Sequence, residues 1–415
     1  MLDIKFVREN KKEVETALLK RMEKKNLDLD KILKLDDQRR EILAKLEDLQ
    51  AQRNKASKTK PDAETIKQMK ALGTDIKKLE TELKKVELEY NEKLSALPNI
   101  PHDDVVAGGK ENNKISNTYG EQPKFDFKAK DHVELATTLG LIDYKRAAKM
   151  SGAGFWAYTG DGALLEWALL NYFIDFHRSH PEYSFMIPPY MLNEQSAFIS
   201  GHLPKFKEDL FWTEDDKLCL NATSEMMLGN YHAGEILDEK DLPKKYYAFS
   251  TCFRREAGAY RTEERGMIRG HQFNKIEMFH FTKPENSWTA FDELLAYAED
   301  LVKGLDLHFN TVQLAAGDCS AAMAKTVDIE VWIPSMKVYK EVSSVSNALD
   351  YQARRGNVRF KGADGNNFVH TLNASGLATS RVFPAILEQY QQADGTVAIP
   401  EVLQKYMAGK KFLTK

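Results

Sequence analysis

Cysteine is scarce in this chain: Cys219, Cys252 and Cys319 are the only three among 415 residues, and no two are spaced as CxxC. An odd, scattered set argues against a disulfide framework or a cysteine zinc site, and no zinc is expected. Small buried hydrophobes in a reducing compartment fit it better. No apolar run approaches the ~18 residues of a membrane span. The start, MLDIKFVRENKKEVE, has no signal-peptide core and too many acids for a transit peptide. A cytoplasmic protein with no membrane partner is the expectation. Charge of one sign is also lacking: the net is −3, so a nucleic-acid partner would have to be met by a local basic patch. There is no GxxxxGK[ST] loop, GxSxG elbow or HExxH, and GAGFWA holds only part of a Rossmann fingerprint. The ten histidines lie apart, and His177 with His180 suits a helix end better than a metal.

What is present divides the chain. Its length makes two domains the starting expectation, and 42% hydrophobic residues suffice for a sizeable core. Proline and glycine are absent until Pro61 and Gly73. Across residues 27–97 one apolar seam runs Ile32, Leu35, Arg39, Ile42, Leu46, Leu49, Arg53, Ala56, and a second runs Met69, Leu72, Ile76, Leu79, Leu83, Val86, Tyr90. Alternating steps of three and four predict two paired helices of ~27 residues, each ~40 Å long, turning at Pro61 and Asp62. Near the turn Arg53, Lys55, Lys58, Lys60, Lys67 and Lys70 face only Asp62 and Glu64. A phosphate backbone would suit that tip, and so would plain lysine-rich solubility or oligomerisation.

Residues 97–114 cluster Pro, Gly and Asn as a linker does. Beyond them a helix pattern covers Ala163–Phe176. Strand-like runs follow: YYAFSTCF, NKIEMFHF, VDIEVWIP, YKEVSSVS and NFVHTLN. Long non-helical spacers between the runs favour an α+β fold with a largely antiparallel sheet. Several charges sit on these strands. Glu277 shares a face with Lys275 and Phe279, Arg254 with Glu256, and Glu341 with Ser343, Ser344 being next along. Strand charges ordinarily face water. Three carboxylate-bearing strands, one with an arginine, could instead form a shared polar floor for a polyanion, a divalent cation and an ammonium group. Phe273 could stack a purine. Such a floor would describe ATP with an amino acid.

In order along the chain, MLDIKFVREN, GDGALLEWALLNYFIDFH with IPPYML, LPKFKEDLF, NATSEMMLGNYHAGEIL, FRREAGAYRTEERGMIRGHQFNKIEMF, AAMAKTVDIEVWIP with EVSSVSNALDYQARR, and HTLNASGLATSRVFPAILEQYQ resemble the class II aminoacyl-tRNA synthetases, specifically the bacterial-type seryl-tRNA synthetases. The resemblance spans essentially the whole chain. It implies a tRNA-binding coiled-coil arm in residues 1–100 and an antiparallel class II catalytic domain in 101–415. It also implies a homodimer formed through the GDGALLEW…IPP region. The expected activity is ligation of L-serine to serine tRNA through a seryl-adenylate, with ATP as substrate and Mg²⁺ as cofactor. Selenocysteine tRNA would be a further acceptor where the organism has one. Carried over, Arg254 matches the arginine on the α-phosphate, Glu256 the acid reading the adenine amino group and Phe273 the stacking ring. Arg381 matches the arginine at the γ-phosphate, while Glu341 and Ser344 match the magnesium ligands. Arg254 and Arg381 would be the catalytic pair. Thr223, Glu225, Arg254 and Glu277 match the serine-binding set, with Glu277 on the ammonium, and Asn373 and Ser375 lie where the hydroxyl is recognised. The basic tip would lie along the long variable arm of serine tRNA. Arg261, Arg265 and Arg269 would reach ATP or the acceptor end.

The chain departs from the family pattern at Ser224, Val345, Ala374, Arg255 and His202, with Ala374 expected to add a methyl group beside the serine site. Pro384 predicts that the last motif's helix begins near Arg381 or Val382, so that proline falls in its first turn.

Overall fold

Two long helices dominate the first hundred residues. In a computed structural model, which describes residues 1–57, 62–257 and 266–415, the chain forms two units, Met1–Ile100 and Pro101–Lys415. In the first, helix α1 spans Leu29–Ala56 and helix α2 spans Ala63–Ala96. Asp28 Oδ1 accepts from Lys31 N at 3.0 Å, and Asp62 Oδ1 from Thr65 N at 2.8 Å, so each helix starts on an aspartate cap. Of the seam residues, Ile32, Leu35, Ile42 and Leu46 on α1 and Ile76 and Tyr90 on α2 are buried and the others half-buried; Leu29, Asp36 and Leu94, outside the seam, are buried too. Arg39, one of two arginines in the seam, donates to the Asp36 carboxylate at 3.3 Å and lies over the Tyr90 ring, 5.2 Å away. Helix α2 has 34 residues rather than the ~27 expected, because nothing breaks it before Pro98. The expected turn at Pro61, and Lys58 and Lys60, lie outside the described residues.

The second unit is built on an eight-stranded sheet. In chain order its strands are β1 (Lys114–Tyr119), β2 (Tyr183–Met186), β3 (Lys244–Phe253), β4 (Gln272–Thr282), β5 (Phe309–Gln313), β6 (Lys325–Ile333), β7 (Val338–Leu349) and β8 (His370–Ala378). Their spatial order is β1-β5-β6-β7-β8-β4-β3-β2. All neighbours are antiparallel except β2 and β3. Helices α3 (Asp161–Arg178), α4 (Ser287–Gly304) and α5 (Thr379–Gln389) cover one face. Leu165, Leu169, Phe173, Leu294, Leu301, Phe383 and Ile386 pack there against Ile276, Met278, Val345 and Ala374 of the sheet. Period-two alternation sends the intervening residues to the opposite face.

Two expectations need correction. The run NFVHTLN is not one strand: it breaks at Val369, and Gly365–Phe368 joins Arg359–Gly362 and Ile236–Asp238 in a separate three-stranded sheet. Helix α5 begins at Thr379, two residues before Arg381, because the strand ends at Ala378 and the Thr379 hydroxyl is bound by Glu166 at 2.7 Å. Pro384 is therefore the sixth helical residue, past the first turn, and leaves the Ser380 carbonyl without its helical N–H donor. Pro384 is itself buried, so packing offsets that loss.

Candidate active site

The opposite face of the sheet, where Leu228 and Ala353 pack on Phe279 and Phe281, concentrates the charge. On β4, Phe273, Lys275 and Glu277 alternate with Asn274 and Ile276 and so point the same way. Glu277 is fully buried and sits opposite Ser375 of β8. Its Oε1 accepts from Asn373 Nδ2 at 3.1 Å, and its Oε2 pairs with the Lys275 ammonium. Lys275 Nζ also donates to Thr223 Oγ1 at 2.6 Å. Glu225 lies at the start of a short helix, Glu225–Leu228, where Gln352 Nε2 donates to its Oε1 at 2.7 Å. Burial, then the Glu277 charge, raises the Glu225 carboxyl to about 7. Thr223, Glu225, Arg254, Glu277, Asn373 and Ser375 surround one cavity of ≈ 250 Å³. His202 also lines it, held neutral by burial and the Arg254 and Lys275 charges, with its pKa lowered to about 3.

Alongside lies a larger cavity of ≈ 530 Å³ lined by Lys110, Arg269, Asp328, Glu330, Glu341 and Arg381, among others. A narrow cavity with Arg254, Glu256, Phe273 and Arg381 on its walls adjoins both. The Arg254 guanidinium lies 5.2 Å over the Phe273 ring, and its Nε donates to the Ala222 carbonyl at 3.3 Å. His271 fixes the arginine's backbone by exchanging hydrogen bonds with it, at 3.0 Å to its own carbonyl and 2.9 Å from Nδ1. Glu256 adopts a left-handed backbone (φ 53°) and forms an ion pair with Arg269 at 2.5 Å. Arg381 reaches from α5 to the Glu341 carbonyl at 2.7 Å and to its carboxylate at 3.2 Å.

A bulge decides where the β7 side chains go. Ser344 pairs with Asp328 and Ser343 with Ile329, but Glu341 pairs with Glu330, so Val342 is one residue too many. In a regular strand Glu341 and Ser344, three apart, would face opposite ways. The bulge puts them together and turns Ser343 to the other face, contrary to the expected sharing of Glu341 with Ser343. Burial alone would raise the Glu341 carboxyl, but the Arg381 and Arg254 charges outweigh it and hold it below the ordinary range. Asp328 is held well above that range by burial and by the Glu341 charge. Among the described residues no three His, Cys, Asp or Glu side chains are grouped to hold a metal.

Every residue that the resemblance assigns to ATP or serine lines one of these cavities, and Arg254, Lys275, Glu341 and Ser375 are common to the ≈ 250 Å³ cavity and the narrow one. Of the arm residues, Lys55, Lys67 and Lys70 are exposed and Arg53 half-buried. Arg261 and Arg265 lie outside the described residues. The cavities also hold Lys275, Asp328 and Glu330, and Gln352 binds Glu225, residues to which the sequence pattern assigns no role. Period two could have flagged Asp328 with Glu330 and Lys275 with Glu277, whereas Gln352 carries no local signal.

The departures fall mostly away from the cavities. Ala374 pairs with Val345, both wholly buried in the apolar core, so its methyl group points away from the serine site, not beside it. Ser224 shares a hydrogen bond of 2.7 Å with Ser250 beneath the pocket. Gly376 retains its place because a Cβ there would stand 2.5 Å from the buried His177. Nothing in the structure explains an arginine at 255, whose backbone N–H binds Asp209.

Comparison with known proteins gives a consistent result. Residues 1–101 match the seryl-tRNA synthetase N-terminal domain, and residues 209–390 the class II tRNA synthetase core domain of the G, H, P, S and T types. A "Serine--tRNA ligase 2" of Clostridium acetobutylicum is 52% identical, covering 99% of this chain and 100% of that one. A "Serine--tRNA ligase" of Petrotoga mobilis is 45% identical with complete coverage of both. Among solved structures, seryl-tRNA synthetase from Pyrococcus horikoshii complexed with ATP superposes with a TM-score of 0.91 at 36% identity, covering 100% of this chain and 99% of that one.

Proposed function

This chain belongs to the seryl-tRNA synthetase family, and we propose that it ligates L-serine to serine tRNA in two ATP-dependent steps. The observation that carries the reading is the row Phe273, Lys275, Glu277 on one strand face, walled by Arg254. It offers a ring for adenine at one end and a buried acid for an ammonium at the other. Glu256 accepts from the adenine amino group. Arg254 binds the α-phosphate and the serine carboxylate, and Arg381 the γ-phosphate. Thr223, Glu225 and Glu277 take the ammonium, while Asn373 and Ser375 recognise the hydroxyl. Alanine would leave those buried polar groups unpaired, which is the physical basis for rejecting it.

A serine carboxylate oxygen attacks the α-phosphorus in line, and the bond to the bridging oxygen breaks with its electrons on pyrophosphate. Arg254 and Arg381 are aimed where charge grows on the phosphate oxygens. A terminal ribose hydroxyl of tRNA then attacks the serine carbonyl, and AMP leaves. Glu341 and Ser344, with hard oxygen donors on one face, would be the residues that hold Mg²⁺, as a partial ligand set. When bound, the ion would withdraw charge from the phosphates. The arm, through Arg53, Lys55, Lys58, Lys60, Lys67 and Lys70, follows the long variable arm of the tRNA by its phosphates. Exposed Leu164, Trp167, Phe185 and Ile187 favour a homodimer through that region. The setting is the cytoplasm, and no described helix is long and apolar enough to cross a membrane.

Incubation with ATP, labelled L-serine and total tRNA tests this directly. Seryl-tRNA should accumulate in step with AMP. Adenylate formation without any charging of tRNA would overturn the reading in favour of a paralogue that loads another carrier.

A further inference from the structure

The place assigned to the serine ammonium already holds an ammonium group. Lys275 is only 5% exposed, and its Nζ is bound to Thr223 Oγ1 at 2.6 Å and to the Glu277 carboxylate. Those are two of the three partners proposed for the substrate. The same side chain also stands at the reaction centre. Lys275 is two residues from Phe273 and two from Glu277 on one face, ~7 Å from each at the usual strand rise. It therefore lies midway between the adenine end and the amino-acid end, where the carboxylate must meet the α-phosphate. It lines both the amino-acid cavity and the narrow cavity beside Phe273.

A buried ion pair tolerates the loss of neither partner, because the charge left behind is neither solvated nor neutralised. A ligand that brings only a cation would displace Lys275 from Glu277 and strand it. Serine brings both signs on one carbon. We propose that Lys275 and Glu277 form a closed ion pair that a zwitterion opens by exchange. The incoming ammonium takes Glu277 and Thr223, while the incoming carboxylate takes Lys275, which turns toward the α-phosphate. No charge is unpaired before or after. Lys275 is thus a specificity-determining residue: it rejects amines that lack a carboxylate and guards an empty pocket. This rests on the reading of Glu277 as the ammonium acceptor.

The test compares L-serine with L-serine amide, which keeps the ammonium and hydroxyl and lacks the carboxylate charge. Each is titrated into the full-length protein by calorimetry. Wild type should bind the amide at least ~30-fold more weakly than serine. In Lys275→Met that ratio should fall by ~10-fold or more, since the amide no longer competes with a resident cation and serine loses a carboxylate partner. Lys275→Arg should retain most of the discrimination. Should the methionine variant not fold, Lys275→Gln, which can still hydrogen-bond Glu277 and Thr223, gives the same comparison. A loss of packing alone would weaken both ligands together and leave the ratio unchanged, and an unchanged ratio overturns the proposal. Equal binding of the two ligands by wild type overturns it as well. Glu277→Gln separates the underlying assignment: undiminished serine binding there would refute the ammonium site itself, whatever the lysine variants do.

Discussion

The arm and the charged face of the sheet carry the same kinds of side chain and use them in opposite ways. On α1 and α2 almost every lysine, arginine and acid lies in water. The one buried charge among the described residues of that unit is Asp36, held by Arg8 at 2.9 Å and Arg39 at 3.3 Å. At the site, Lys275, Glu277 and Asp328 on the sheet and Glu225 on the short helix beside it are all buried, three of them in one hydrogen-bonded set around Thr223, Gln352 and Asn373. Exposed charges are individually weak and screened by salt, so they suit a long, forgiving contact with phosphates. Buried charges are costly unless each has a partner, so they suit a site that must admit one ligand of matching charge. Mixed composition alone does not separate these uses; burial does.

The largest test of that contrast is Arg254→Ala. Serine-dependent pyrophosphate exchange should fall by ~10²–10³-fold in kcat with the protein still folded, and a fall of less than tenfold would break the comparison. Next comes the arm. Replacing Arg53, Lys55, Lys67 and Lys70 together by glutamine should leave exchange within about twofold and lower kcat/KM for tRNA charging by ~10–100-fold, with a shallower dependence on salt. A parallel loss of both activities would show that the two regions do not divide the work.

A smaller effect concerns a buried acid outside the cavities. Burial raises Glu166 to about 7, although Thr379 and Asn274 hydrogen-bond it. Its folded pKa lies above the unfolded value, so the folded state keeps a proton the unfolded state releases. Stability should therefore decline as pH rises from about 4.5 to about 7 and level off above. Glu166→Gln removes this decline, and chemical denaturation at pH 8 should find it ~1–3 kcal/mol more stable than wild type, with little difference at pH 4. Equal stability at both values would refute the assignment. The smallest effect expected is for Ala374→Gly, which restores the family residue on the core side. The KM for serine should stay within about twofold, at a loss of ~1 kcal/mol in stability from a less filled strand.

How much of this could be read beforehand depended on the range of the signal. The seams from Ile32 to Tyr90 and the strands holding Tyr247 and Met278 follow from local periodicity and appear where expected. Strand alternation pointed to a polar floor holding Arg254, Glu256, Glu277 and Glu341, while the individual ATP and serine roles proposed for its residues came from resemblance to a family. What local pattern could not supply came from pairing between distant segments. The bulge at Val342 is visible only once β7 meets β6. The break at Val369 follows from one half of the run joining a different sheet. The early start of α5 depends on Glu166, more than two hundred residues away in sequence. Ala374 looked adjacent to the pocket because its neighbours in sequence are there, but strand alternation turns it the other way.

The most direct test of the central claim, that the buried charges form a site for a polyanion and a zwitterion together, is pyrophosphate exchange by wild-type protein without tRNA across all the amino acids. L-serine should support exchange with ATP and magnesium at least ~100-fold more efficiently than alanine. No exchange with serine at saturating ATP, or equal exchange with serine and alanine, would contradict the account.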